Sequence, residues 1–385
     1  VEFIDLATQQ KKIKEKLDAN IQAVLSHGKY IMGPEIKELE TRLAEYTGVK
    51  YGIACSSGTD ALLLALMAFG VGRGDAVLTT PFTFIATAEV ISLLGAMPVF
   101  VDVDPQTFNI DPEHLERTIK AFQNESNSHP LPRNRGQMNL KGIIGVDLFG
   151  LPADYDPICK IAKENGLFII EDAAQSFGGQ YKDKMACSLG DIGCTSFFPA
   201  KPLGGYGDGG MCFTENENLE KAMRSILVHG KGSDKYENVR IGINGRLDTL
   251  QAAILHAKFD IFKDEIENRQ RVAKTYKDLL SKQTSGIVTP HIPLGYRSAW
   301  AQYSILAKDE THRSSLQSKM KDAGIPTAVY YPKPLHLQTA FKDLGYKKGD
   351  FPVSEDSSTR IFSLPMHPYL AAEEQIKIAG VIENP

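Results

Sequence analysis

Two segments decide how this chain folds: EDAAQSFGG at 171–179 and CTSFFPAKPLGGYGDGG at 194–210. The acid pair Glu171-Asp172 closes the apolar run 167–170, and a strand that ends in carboxylates delivers them to the ligand edge of an α/β sheet. Lys201 follows Phe197-Phe198-Pro199-Ala200 and precedes Pro202 and a glycine cluster. It therefore cannot lie inside a regular helix and is expected to project from a tight loop. Singly, neither residue says much, because most lysines are solvated and an aspartate at a strand end is often a turn residue. Their proximity in sequence gives them weight.

Outward from these segments the chain alternates. YGIACSSGTDALLLALMAFG, 51–70, reads as a strand, a Ser/Gly/Thr turn and a helix starting near Thr59 or Asp60. Such a turn exposes backbone N–H groups at a helix N-terminus, which suits an anion. Strands at 75–80, 98–104, 142–150 and 167–172 then alternate with helices at 83–94, 112–122 and 155–164. The pattern specifies a mostly parallel sheet with helices on both faces, the α/β class. Upstream, 11–25 and 35–46 have helical spacing and are separated by Gly33-Pro34. Downstream, 248–280 reads as two amphipathic helices, followed by the strands WAQYSILA (300–307) and TAVYYP (327–332) around a helix at 313–323. We expect a large domain over 1–255 and a smaller α+β domain over 256–385. Residues 123–140 read as a polar surface insertion, whose sequon Asn124-Glu125-Ser126 has no role in a cytoplasmic protein.

The 385 residues are 42% hydrophobic and 23% charged, enough for a substantial core. A net charge of -4 and the absence of a basic block argue against nucleic acid as a partner. Cys55, Cys159, Cys187, Cys194 and Cys212 form an odd set with no CxxC pair or zinc-like histidine spacing, so reduced thiols, a cytoplasmic location and no metal are expected. The most apolar run is too short to span a membrane. Gly205 to Gly210 matches GxGxxG, but a proline-flanked loop precedes it and the strand-like MCFTE follows, which is not the dinucleotide-binding context.

Together these residues fit a pyridoxal phosphate (PLP) site. That cofactor needs a lysine amine for its aldehyde, a carboxylate to keep its ring nitrogen protonated, and N–H and O–H donors for its phosphate. Lys201, Asp172 and the Ser57-Gly58-Thr59 turn are of those types. Burial would favour the neutral amine, and the freed amine is a natural proton carrier in the reaction.

From FIDLATQQ at the N-terminus to SLPMHPYL near the C-terminus, the chain resembles the DegT/DnrJ/StrS sugar aminotransferases, which have the fold-type I PLP architecture. The resemblance implies a phosphate cup of Ser57, Gly58, Thr59 and Ser196, ring stacking by Phe84, and Gln175 near the ring. It also implies a homodimer with shared active sites, in which Asn244 of the NGRLD segment reaches the phosphate of the neighbouring subunit. Arg246, Tyr331 and His336 are candidates to bind substrate, while His229 and His367 are given no role. Implied substrates are glutamate and a nucleotide-linked keto sugar. The segments GINGRLDTLQAAIL and FIDLATQQ look most like the branch acting on UDP-linked 3-keto sugars such as 2-acetamido-3-oxo-glucuronate, for lipopolysaccharide O-antigen synthesis. Tyr330 stands where that branch is expected to carry histidine, and the 123–140 insertion is longer than its usual connection. A TDP-linked 3- or 4-keto-sugar aminotransferase is the second reading, and a non-catalytic PLP-binding regulator the third. Lys201 argues against the dehydratase branch, which has histidine there.

Overall fold

The computed structural model describes all residues except 125–128, 134, 137, 235, 282–285 and 384–385. The first nine strands are β1 (Tyr51–Cys55), β2 (Asp75–Thr79), β3 (Met97–Phe100), β4 (Asn139–Val146), β5 (Phe168–Asp172), β6 (Gln180–Tyr181), β7 (Lys184–Met185), β8 (Ile192–Ser196) and β9 (Gly210–Thr214). Seven of them form one sheet in the order β1-β9-β8-β5-β4-β2-β3. Neighbours from β8 through β5, β4 and β2 to β3 are parallel, whereas β9 runs antiparallel to both β8 and β1.

Helices α1 (Leu6–His27), α2 (Pro34–Thr47), α3 (Gly58–Ala68), α4 (Ala86–Leu93), α5 (Pro112–Gln123), α6 (Tyr155–Asn165), α7 (Glu217–Leu227) and α8 (Thr249–Leu280) surround the sheet. The unbroken apolar runs in β4 and β5 follow from burial on both faces. Ile144 and Ile170 pack with Leu62, Leu66 and Ile91 on one side. Ile143 and Ile169 pack with Ile119 and Ile158 on the other.

Where two helices were expected over 248–280, α8 is a single helix of 32 residues. No glycine or proline interrupts it. Leu255, Phe262 and Ile266 pack against the sheet, whereas Val272, Tyr276 and Leu280 belong to the C-terminal core. The expected division between residues 255 and 256 falls inside this helix.

The C-terminal part adds β10 (Tyr296–Arg297), β11 (Tyr303–Leu306), α9 (Glu310–Asp322), α10 (Pro352–Arg360), β12 (Ile361–Leu364) and α11 (Ala372–Glu383). β11 and β12 pair antiparallel. The segment 327–332 is not a strand, and only Ala328 bridges to Ser363. Pro332 lacks the N–H that a continuing ladder would need.

The insertion lies partly outside the described residues, as does its sequon. What is described is tied down: the Arg133 N–H donates to the Leu344 carbonyl at 2.8 Å, and His129 Nε2 contacts the Thr118 hydroxyl at 2.8 Å.

Asp102, just beyond β3, joins the two parts. Its carboxylate accepts the N–H groups of Val353 and Ser354 at 2.9 and 3.0 Å and the Ser354 hydroxyl at 2.5 Å, at the start of α10. Asp102→Ala strands these buried donors and removes a helix cap, so it should destabilise the protein by about 2–4 kcal/mol. Urea unfolding with an unchanged m-value checks this.

Candidate active site

The carboxyl ends of β1, β2, β4, β5 and β8 and the start of antiparallel β9 meet at one sheet edge, where ligands bind in open α/β sheets. A cavity of about 470 Å³ opens there, within the range of small-molecule sites. Ser57, Gly58, Thr59, Phe84, Asp172, Gln175, Ser196, Lys201 and Tyr331 all line it. Asn244, Arg246 and His336 do not.

Ser57 caps α3, its side chain accepting the Asp60 N–H at 3.0 Å. The N–H groups of Gly58 and Thr59 precede the first intrahelical bond and are available to an anion. Close approach explains the glycine, since a Cβ at Gly58 would stand 2.6 Å from Ser196 Cβ. Gly210 is packed as tightly, its added Cβ falling 2.4 Å from the Ser57 carbonyl oxygen. A phosphate fits this donor set.

Asp172 is buried at the end of β5, with Oδ2 accepting the Thr87 hydroxyl at 2.8 Å and Oδ1 the Ala174 N–H at 3.3 Å. Burial pushes its carboxyl above the ordinary value, while the Thr87 bond and the Lys201 charge draw it down. Burial lowers the Lys201 amine, and Asp172 opposes that shift. An easily deprotonated amine and a carboxylate thus share one wall, which matches what PLP needs from a protein.

Gln175 Oε1 accepts the Phe149 N–H at 2.6 Å, and its amide donates to the Tyr331 hydroxyl at 3.2 Å. Phe84 is 55% exposed and its ring lies 6.3 Å from that of Tyr331. An aromatic face standing in a cavity wall can take a planar ligand.

Glu171 does not accompany Asp172 into the cavity. Successive strand residues face opposite ways, and Glu171 is buried behind the sheet edge, accepting the N–H groups of Cys187 and Leu189 at 2.6 and 2.8 Å. His336 is 2% exposed, with Nε2 3.0 Å from Glu355 Oε1 and its ring against Phe351. Asn244 is exposed and accepts from Arg246 Nε at 2.9 Å. Their segment lies along the outside of the β1 turn, where the Ser56 N–H donates to the Gly245 carbonyl at 2.8 Å.

Sequence reasoning missed Thr83, Thr87, Phe198, Asp208 and Gln302 in and around the cavity. Asp208 sits in the glycine loop that had been singled out, and Thr87 lies one helical turn after Phe84. Those were the available signals. The loop itself is pinned by α8: Lys258 Nζ donates to the Gly204 carbonyl at 2.6 Å, and Gln251 Oε1 accepts the Tyr206 N–H at 2.9 Å.

A mostly parallel sheet with lysine, aspartate and a helix-terminal anion cup at its carboxyl edge is the architecture of fold-type I PLP-dependent transferases. The model of the DegT/DnrJ/EryC1/StrS aminotransferase family matches residues 11–383, and the chain belongs to that family. It is 51% identical, over 100% of both chains, to UDP-2-acetamido-2-deoxy-3-oxo-D-glucuronate aminotransferase of Pseudomonas aeruginosa. It is 43% identical to a pleiotropic regulatory protein of Geobacillus stearothermophilus, over 97% of this chain and 95% of that one. Among solved structures, a DegT/DnrJ/EryC1/StrS aminotransferase of Brucella abortus superposes with a TM-score of 0.94 at 50% identity, over 100% of both chains. A Bacillus subtilis structure with the cofactor PMP bound superposes with a TM-score of 0.86 at 28% identity, over 99% of this chain and 83% of that one. The protein is a PLP-dependent aminotransferase.

Gly58→Ala tests the cup. The added methyl must push Ser196 or the helix start aside, so PLP affinity should fall at least about tenfold, the loss of one charge-assisted hydrogen bond. Fluorescence titration with PLP checks it, with circular dichroism showing that the variant is folded.

Proposed function

We propose that this aminotransferase moves an amino group from glutamate to the keto carbon of a nucleotide-linked sugar, with a UDP-linked 3-keto sugar such as 2-acetamido-3-oxo-glucuronate as the favoured acceptor. The observation that carries this reading is Lys201 and Asp172 facing one cavity beside an anion cup. The 51% identity to a UDP-3-oxo-sugar aminotransferase supports the acceptor class. Tyr330 lines the cavity, so its departure from histidine falls on the wall that meets substrate. A TDP-linked 3- or 4-keto sugar is the alternative that this departure favours.

When bound, PLP supplies an aldehyde that carries amino groups and a protonated ring that withdraws electrons. The chain's residues do the rest. Lys201, held toward its neutral form, would attach the cofactor through its amine and, when free, could take up and return a proton at Nζ. Asp172 would keep the ring nitrogen protonated. Gly58, Thr59 and the hydroxyls of Ser57 and Ser196 would hold the phosphate, Phe84 would offer its face to the ring, and Gln175 donates to the Tyr331 hydroxyl across the cavity.

We further propose a cytoplasmic homodimer with shared sites. Among the described residues lining the cavity, Lys201 is the one cation, although glutamate and a nucleotide sugar bring several negative charges. Arg246, whose backbone bridges Cys55 at the end of β1, stands outside its own cavity, in position to serve a partner. Ile31, Met32, Phe198 and Ile241 are exposed large apolar groups, and Ile31 bridges Asp248 beside the Arg246 segment. A second copy would cover them. The five free cysteines suit a reducing compartment.

Glutamate as the amino donor is tested by absorbance: adding it should shift the bound cofactor to the spectrum of PMP, and an unchanged spectrum would exclude glutamate as the donor. Screening UDP- and TDP-keto sugars with product mass spectrometry then identifies the acceptor. Lys201→Ala should lose turnover and the borohydride-fixable link to cofactor while melting as wild type does, because the lysine supplies chemistry and little packing.

Sharing is tested by mixing inactive chains. Lys201→Ala protein combined with an Asn244/Arg246 double-alanine variant should form heterodimers with one intact site and regain part of the activity. Demonstrated subunit exchange without recovery sinks the shared site.

A further inference from the structure

Asp172 is steadied by one uncharged side chain, and that side chain has a second one behind it. The Thr87 hydroxyl lies 2.8 Å from Asp172 Oδ2 and 3.1 Å from the Thr83 hydroxyl. A hydroxyl has one proton to give. While Asp172 is ionised, the Thr87 proton is committed to it, so Thr83 must be the donor in the second contact. The chain from Thr83 through Thr87 to Asp172 therefore runs one way, each bond polarising the next. Thr87 is fully buried, so water does not compete for its proton, and Thr83, 3% exposed, borders the cavity. Thr87 stands in the first turn of α4, three residues after the Phe84 that lines the cavity, and its N–H donates to the Phe84 carbonyl at 3.3 Å, so one short turn sets both the aromatic wall and the acid.

We infer that Thr87, backed by Thr83, is a positioning residue of the aminotransferase: it keeps Asp172 ionised and oriented in the cavity wall, where the carboxylate would hold the ring-nitrogen proton of PLP. The inference rests on the function proposed above. Other titratable groups around Asp172 are Lys201, Cys194 on β8, Tyr155 and Cys187 behind the sheet edge, and Tyr331 across the cavity. Burial pushes these thiols and phenols up and keeps them neutral. The Asp147–Glu171 acid pair adjoins through the backbone, Asp147 N–H donating to the Asp172 carbonyl at 3.1 Å. None of these groups is altered by changing Thr87, so a shift produced by that change belongs to the hydroxyl.

The probe is PLP alone, titrated by fluorescence across the acid and neutral range against wild type, Thr87→Val and Thr87→Ser. Without the hydroxyl, Asp172 takes up its proton at higher pH. The acid edge below which PLP affinity falls should therefore move up by about one unit in Thr87→Val, a roughly tenfold loss at the wild-type edge. Thr87→Ser keeps a donor and should stay within about twofold of wild type. A wild-type acid edge in Thr87→Val, or an equal loss at every pH, overturns the inference. Should Thr87→Val fail to fold, Thr83→Val should move the edge in the same direction by less, and an unmoved edge there overturns it. No sugar enters this measurement, so absent sugar turnover in the wild type would count against the proposed function and leave the Thr87 result standing.

Discussion

A carboxylate held out of water at the end of β5 is the constraint on which the site depends. Ionised Asp172 is costly in a buried position, and the surrounding structure offsets that cost with a hydroxyl, a backbone N–H and a nearby amine. Each partner comes from a different element: Thr87 from α4, Ala174 from the turn after β5, and Lys201 from the loop after β8. The sheet edge must therefore be complete before the acid is stable in its functional state.

The adjacent carboxylate solves a different problem. Glu171 points the other way and forms a buried acid pair with Asp147, whose carboxyl is pushed up to about 7 by burial. Asp147 accepts the Ala153 N–H, the Tyr155 hydroxyl and the Ser176 hydroxyl, while Glu171 gathers the N–H groups of the 187–189 turn. Two like charges so close favour one proton between them. This pair ties the ends of β4 and β5 to the turns that follow and so supports the position of Asp172 from behind. The Lys201 loop has comparable backing from α8, where Lys258 and Gln251 hold the glycine segment by its backbone.

Long-range packing also unites the two parts of the molecule. α8 contributes to the sheet core with its first half and to the C-terminal core with its second, so the wall carrying Tyr330, Tyr331 and Gln302 is set against the cofactor side by one continuous helix. Asp102 adds a second tie through α10. The two walls of the cavity therefore lie on parts that share core elements.

Sequence alone determined the sheet architecture, because alternating apolar runs and helical periods are local consequences of burial on two faces. Lys201 and Asp172, which line the cavity, also stood out locally as a lysine between prolines and an acid closing an apolar strand, whereas the Ser57-Gly58-Thr59 turn by itself reads as a helix cap and was singled out through the family resemblance. Tertiary structure decided which acid of the pair faces the cavity, since that follows from the pleat and the register of β5 against its neighbours. It also decided that α8 is unbroken, that His336 turns away to Glu355, and that Thr87 meets Asp172 across 85 positions of sequence. A threonine on a helix has no local mark of the partner it will find, because a side-chain hydrogen bond between distant residues exists only after the elements have packed.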